Sequence, residues 1–281
     1  LPADFDEEFY LLANPDVQHD VTQGIWQSGG DHYLAHGCSE GRSYCSNDAH
    51  FIRDYEKLVA SLIEKFPNNY ELALSQAIGA GTIEEFVRSG DLQVQLLKLL
   101  GLKDNMSIYD LACGCGRTAQ ALQRSGWQGS YYGSDIIKAF TDHVKSKCPG
   151  FEAEVNRTFS IKRPSNSIDM IYSWSLFTHL HHEEIYLYMQ DSFRSLKQGG
   201  KLIFSFLEHN SEDHQKIFLQ RVSDIGSYKK LAHLDTFLHR DFISNFSSKI
   251  GFKNQPIFID GRQPIGDCGT FFQSIACLTK S

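Results

Sequence analysis

No apolar run in this 281-residue sequence approaches the ~20 residues that a membrane-crossing helix needs. Its longest, such as 58–63 and 202–207, are the size of interior segments. Basic residues are not in excess: 27 Lys and Arg face 34 Asp and Glu, for a net charge of -7. A uniformly basic nucleic-acid binder is therefore disfavoured. The seven cysteines (38, 45, 113, 115, 148, 268, 277) form no CxxC pair, so zinc-ribbon spacing is missing. Their odd number, and the lack of a charged-then-apolar opening segment, lead us to expect a reducing, cytoplasmic setting. Internal repeats and low-complexity tracts are also missing. What the chain does have is a core: 41% of residues are hydrophobic, including 20 Phe and 12 Tyr, which excludes disorder.

Charge is unevenly placed. Residues 1–48 hold nine acids against the single base Arg42, a net -8, so the other 233 residues carry +1. Residues 4–43 read as short helices: FDEEFYLLANPDV has helical apolar spacing and stops at Asn14-Pro15, and HYLAHGCSEGR ends on Gly37 and Gly41. Ser46–Asp48 reads as a joint. Residues 49–66 make an amphipathic helix with Asp48 as its cap, and 70–101 make two more helices ending at Gly101. We expect three parts: an acidic helical module over 1–48, a helical lid or cap over 49–106, and an α/β core over 107–281.

In that core, strands are expected at 107–112, 129–135, 151–155, 167–175 and 200–208, with helices at 117–125, 136–148 and 182–197 between them. This alternation implies a parallel sheet covered on both faces. A helix at 239–250 then leads to apolar segments at 251–260 and 270–280. The short gap between these two holds no crossover helix, so they should form an antiparallel hairpin.

The first strand runs into Asp110-Leu111-Ala112-Cys113-Gly114-Cys115-Gly116-Arg117. Glycines between a strand and a helix let a ligand approach the backbone, and the free N–H groups of the helix start favour its polar atoms. Asp135 ends the next strand, where a carboxylate can accept from two ribose hydroxyls or simply cap the following helix. Gly114-x-Gly116-x-x-Ala119 also fits the dinucleotide fingerprint, which keeps an NAD(P)-dependent oxidoreductase open as an alternative. Cys113 and Cys115 fit small buried turn residues better than metal ligands, and no metal site is expected.

Four segments in order, YDLACGCGR, YYGSD, SIDMIYSWSLFTHL and LKQGGKLIFSF, together with the terminal hairpin, resemble the class I S-adenosylmethionine-dependent methyltransferases. The resemblance covers 107–280. It implies a Rossmann-like three-layer sandwich whose mostly parallel seven-stranded sheet has the order 3-2-1-4-5-7-6, strand 7 antiparallel. It also implies S-adenosylmethionine as cofactor and S-adenosylhomocysteine as product. The expected cofactor contacts are Asp110, Ala112, Cys113, Gly114, Gly116 and Arg117 at the first motif and Asp135 and Ile136 at the second. Ser173, Trp174 and Phe177 complete the set at the fourth strand, Trp174 and Phe177 as either cofactor walls or core. Two departures from the family stand out. Ala112 replaces a usual glycine, tolerable if its φ is negative. Asn156 and Arg157 stand where relatives often carry an Asp that contacts the adenine amino group, and the Asn156 carbonyl can accept that bond.

Methyl transfer from a sulfonium is an in-line displacement that needs an aligned nucleophile, and a hydroxyl acceptor needs a base. Candidate bases lie at the carboxyl ends of strands four and five: His179, His181 and His209, each with a structural alternative. For His179 that alternative is fixing its loop. The fourth-strand segment SWSL lacks the NPPY-type tetrapeptide of amino-group methylases and the Pro-Cys pair of cytosine C5 methylases. A small-molecule or sugar hydroxyl acceptor, and no nucleic acid, fits better. The 9–42 stretch resembles a short helical module of bacterial glycan-modifying enzymes, which implies a glycan acceptor; its acidic surface equally suits docking or solubility. A scaffold that binds cofactor without catalysis is the remaining alternative.

Overall fold

The computed structural model describes residues 1–2, 5–44, 49–229, 234–266 and 269–281, apart from the side chains at 49–51 and 53. The expected joint at Ser46–Asp48, the Asp48 cap, Cys45 and Cys268 lie outside the described residues. The chain divides into two compact units, Leu1–Lys65 and Phe66–Ser281.

The first unit is helical: α1 (Glu7–Ala13), α2 (Pro15–Thr22), α3 (Gly29–His32), which runs on into a wider turn at Tyr33–Gly37, and α4 (Ala49–Lys65). Asp6 caps α1 by accepting from the Phe9 N–H, and Pro15 sits in the first turn of α2, where its missing N–H costs nothing. Tyr10, Val17 and Tyr33 form the unit's small core. The Glu7 carboxylate ties the helices together, accepting from the N–H groups of Gly29 (2.5 Å) and Gly30 (2.8 Å) at the start of α3.

The second unit begins with α5 (Tyr70–Ala77) and α6 (Ile83–Leu99). Asn69 caps α5, and Thr82 caps α6 by accepting from the Glu85 N–H. Strand and helix then alternate through β1 (Ser107–Leu111), α7 (Arg117–Arg124), β2 (Ser130–Asp135), α8 (Lys138–Lys147), β3 (Glu152–Val155), β4 (Ile168–Ser173), α9 (His182–Ser195) and β5 (Leu196–Glu208). The rest is α10 (Glu212–Gly226), the two-residue β6 (Phe237–Leu238), α11 (Arg240–Ile250), β7 (Ile257–Ile259) and β8 (Ser274–Thr279). The main sheet has the order β3-β2-β1-β4-β5-β8-β7, with β6 pairing on β5 beyond it. β1 to β5 are parallel, and β8 is antiparallel to both β5 and β7. With β6 set aside, this is the expected order, and the terminal hairpin is present with shorter strands than its apolar segments suggest.

Successive strand residues point to opposite faces, and the core follows that rule. Ile108, Tyr172 and Ile203 face α6, α7 and α8, packing with Leu97, Leu122 and Val144. Tyr109, Ile171 and Phe204 face α9 and α11, packing with Met189 and Ile243. α10 was not evident in the sequence. Much of its apolar side is exposed (Leu219, Val222, Ile225), so burial and periodicity do not coincide there. No described helix is long and apolar enough to cross a membrane.

Candidate active site

The glycine turn lies where β1 meets α7, between β2 and β4. Three residues take left-handed backbone: Ala112 (φ 61°), Gly114 (φ 52°) and Gly116 (φ 89°). Gly116 doubles as the N-cap of α7, and a Cβ there would meet Val144 Cγ2 at 2.9 Å. The condition set for Ala112 therefore fails. Its φ is positive, so its methyl group strains the turn where glycine would not.

Asp135 binds the turn to its neighbour. One carboxylate oxygen accepts from the Gly114 N–H at 2.9 Å and the other from the Ile137 N–H at 3.0 Å. It thus serves the start of α8 and the turn at once. Burial pushes its pKa up to about 6, against backbone N–H groups that favour the charge. Asp110 sits behind, 2% exposed, and accepts from Tyr131 Oη–H at 2.8 Å; burial pushes it up to about 7. The Arg117 guanidinium donates to the Ile78 carbonyl (2.9 Å) and helps offset the charge of Asp110.

Cys113 and Cys115 are buried in the turn. Burial raises both thiols, Cys115 to about 12, so they are packing groups rather than thiolates. Among the described residues no three His, Cys, Asp or Glu side chains are grouped to hold a metal ion.

Three expected contacts find other work. The Asn156 carbonyl oxygen accepts from both Thr158 N–H (3.1 Å) and Thr158 Oγ1–H (2.7 Å), while its amide donates to the Ser160 carbonyl. Both lone pairs are thus used within its own loop, and the adenine contact expected of it is not open in this arrangement. Phe177 is fully buried against Phe204, 4.4 Å between ring centroids, in the core rather than on a wall. Ser173 is buried and donates to the Leu111 carbonyl, clipping β4 to β1. Trp174, by contrast, is partly exposed and packs on Phe271 (4.4 Å). Arg157 reaches the Ile136 carbonyl, which puts both residues beside Asp135.

Two of the three candidate bases are tied down by hydrogen bonds, and the ring of the third by stacking. His179 Nδ1 meets the Leu234 carbonyl at 2.8 Å, fixing the loop after β4. His181 caps α9, its backbone N–H donating to Glu184. His209 stacks on His239 at 4.5 Å. Glu208, beside it, is held bidentately by Arg240 (2.6 and 2.9 Å) and accepts from Ser274 Oγ–H.

Two features escaped the sequence. Ile78, in the linker after α5, lies over the turn: a Cβ on Gly114 would be 3.1 Å from its Cγ2. Gln273, at the start of β8, donates through Nε2 to Ser175 Oγ at 2.6 Å. No local pattern announces either, because the partners lie far apart in the chain.

Residues 108–200 match the model of a methyltransferase domain family. Solved structures with the same fold include a Thermotoga maritima protein described as a S-adenosylmethionine-dependent methyltransferase and possible histamine N-methyltransferase. It is 14% identical, with a TM-score of 0.53 over 79% of this chain and 100% of that one. The magnesium protoporphyrin IX methyltransferase of Synechocystis PCC 6803, solved with bound S-adenosylhomocysteine, is 16% identical with a TM-score of 0.52 over the same shares. A S-adenosylmethionine-dependent methyltransferase from Methanosarcina mazei is 16% identical with a TM-score of 0.51, over 66% of this chain and 96% of that one. Residues 108–200 thus match a methyltransferase domain, and the sheet order is that of the class I, Rossmann-like methyltransferase fold. The antiparallel β8 sets it apart from the parallel 3-2-1-4-5-6 sheet of dinucleotide-binding oxidoreductases.

Proposed function

We propose that this chain transfers the methyl group of S-adenosylmethionine to a neutral hydroxyl of a small molecule or sugar. The observation that carries the cofactor half is the Asp135 bridge. Each carboxylate oxygen accepts one backbone N–H and keeps lone pairs for a further donor, which suits the two hydroxyls of a ribose. The left-handed backbone of Gly114 and Gly116 shapes the turn, with Ile78 and Val144 filling the space that their side chains would take. Residues 110–117, 135–136 and Trp174 would hold the cofactor. Bound there, it supplies a methyl group already activated by positive sulfur.

The chain's own task is then to align the acceptor and exclude water. Of the expected 49–106 cap, residues 66–106 fall in the same unit as the sheet, and we take this part as the cap over the cofactor, a reading supported by Ile78 against Gly114 and by the Arg117 bond to its carbonyl. His209, at the carboxyl end of β5 and stacked on His239, is our choice for the group that takes the acceptor proton. The hydroxyl acceptor is favoured by the neutral charge of residues 49–281 and by the SWSL segment at the end of β4. The test is incubation of the full chain with methyl-labelled S-adenosylmethionine and a panel of methyl glycosides and simple alcohols. Label on oxygen is the expected result. Label only on nitrogen or carbon acceptors offered beside them overturns the hydroxyl assignment.

A further inference from the structure

We propose that Gln273, seated on Ser175, is the binding residue for the methyl acceptor, its side-chain carbonyl receiving a hydrogen bond from a neutral hydroxyl or amine of that molecule. The assignment rests on the methyltransferase reading and gives its acceptor a chemistry. Gln273 Oε1 is buried and has no hydrogen-bond partner among the described residues. A buried carbonyl gains stability from a hydrogen-bond donor, and a bound molecule at this end of the sheet can provide one.

The geometry around it is built rather than incidental. Ser175 has φ 59°, strained for a residue with a Cβ. Three hydrogen bonds hold it so: its N–H donates to Ser205 Oγ (2.8 Å), its carbonyl accepts from Thr178 Oγ1–H (2.9 Å), and its Oγ accepts from Gln273 Nε2–H (2.6 Å). The last bond uses one N–H of the amide and orients the group, leaving its oxygen to accept from a ligand. Ser274, next in the chain, is fixed to Glu208 and through it to Arg240, which anchors the start of β8.

The position is right for an acceptor. Ser175 lies two residues past the end of β4. Ser274 pairs with Phe206 near the carboxyl end of β5, so Gln273 stands at the end of the sheet where ligands of open α/β folds bind. Trp174 and Phe271 flank the pair in sequence and pack on each other, offering an apolar wall. An amide oxygen there accepts from a hydroxyl or amine of the acceptor. Gln273 takes no proton; it fixes the molecule whose nucleophile reacts.

The experiment compares wild-type full chain with Gln273→Met and Gln273→Glu. Melting is measured without ligand, S-adenosylhomocysteine binding by calorimetry, and transfer to methyl glycosides by label. We expect Gln273→Met to melt at or above the wild-type temperature and to bind S-adenosylhomocysteine unchanged. For any glycoside that the wild type methylates, its KM should rise about tenfold with kcat little altered. Gln273→Glu, which keeps an accepting oxygen, should retain more of the acceptor affinity than Gln273→Met. A melting temperature several degrees lower in Gln273→Met shows a structural strut and overturns the assignment. So does loss of S-adenosylhomocysteine binding in that variant alone, or an unchanged acceptor KM. Wild-type chain that binds no S-adenosylhomocysteine is a separate result, and it overturns the methyltransferase reading beneath.

Discussion

Ala112 and the two aspartates show how much of this site is set by single residues. A left-handed backbone costs an L-residue with a Cβ about 1–2 kcal/mol, partly offset by the greater chain entropy of unfolded glycine. Ala112→Gly should therefore raise stability by up to about 1 kcal/mol, read from urea unfolding; a loss would mean that the methyl group packs favourably despite its φ of 61°. Asp110 is held at about 7 by burial, above its ordinary 3.8, so the folded state keeps a proton that the unfolded chain releases between those values. Stability then falls as pH rises from about 4 to 7, and the cost is full above 7. Asp110→Asn removes that cost, so it should stabilise the chain at pH 8, the gain fading toward pH 4. Asp135 is raised in the same direction, to about 6. Its carboxylate must be charged to accept well from two hydroxyls, so S-adenosylhomocysteine affinity should drop as pH falls through about 6, measured by titration at several pH values. The glycine turn and Asp135 were legible in the sequence because each is a local pattern of residue type and spacing. Gln273 was not: its partner Ser175 lies 98 residues away, and a strained serine has no signature of its own. The loop bonds of the Asn156 carbonyl were hidden for a related reason, because the residue that makes them, Thr158, is an ordinary loop threonine.

At the level of elements, α6 and α7 are the pair on which the site depends. Gly90 lets them meet: a Cβ there would lie 2.6 Å from the Arg117 carbonyl, a backbone atom with nowhere to retreat. In an exposed helix interior Gly→Ala gains about 1 kcal/mol; here Gly90→Ala should lose more than it gains. It should lower the melting temperature and weaken S-adenosylhomocysteine binding together, since α7 carries the glycine turn. β5 and α11 meet through Glu208 and Arg240. Arg240→Met leaves a mostly buried carboxylate without its partner. Breaking such a pair costs about 3–5 kcal/mol when fully buried. With the guanidinium 42% exposed, about 2 kcal/mol is the reasonable expectation, checked by denaturant unfolding. The parallel strands and most helices were legible because their apolar periods match their burial. α10 was hidden because its apolar side is largely exposed, and β7 and β8 are shorter than their apolar segments because pairing, rather than composition, ends them.

For the whole molecule, the sequence average of -7 describes neither part: the acidity lies in residues 1–48, and the rest is near neutral. The compact units divide at Lys65 and Phe66, and α5 and α6 fall in the same unit as the sheet. Helical periodicity alone does not reveal that, because the contacts that place them, Ile78 on Gly114 and Gly90 on Arg117, join residues about 30 to 40 positions apart. What unites the second unit is one claim, that its glycine turn and Asp135 bind the adenosyl cofactor. Calorimetric titration of the full chain with S-adenosylhomocysteine tests it most directly, alongside Asp135→Ala with its fold checked by circular dichroism. The structure predicts one site per chain in the wild type and an affinity about a hundredfold weaker in the variant, two charged hydrogen bonds being lost. No binding by folded wild-type protein, or equal binding by both, would contradict it.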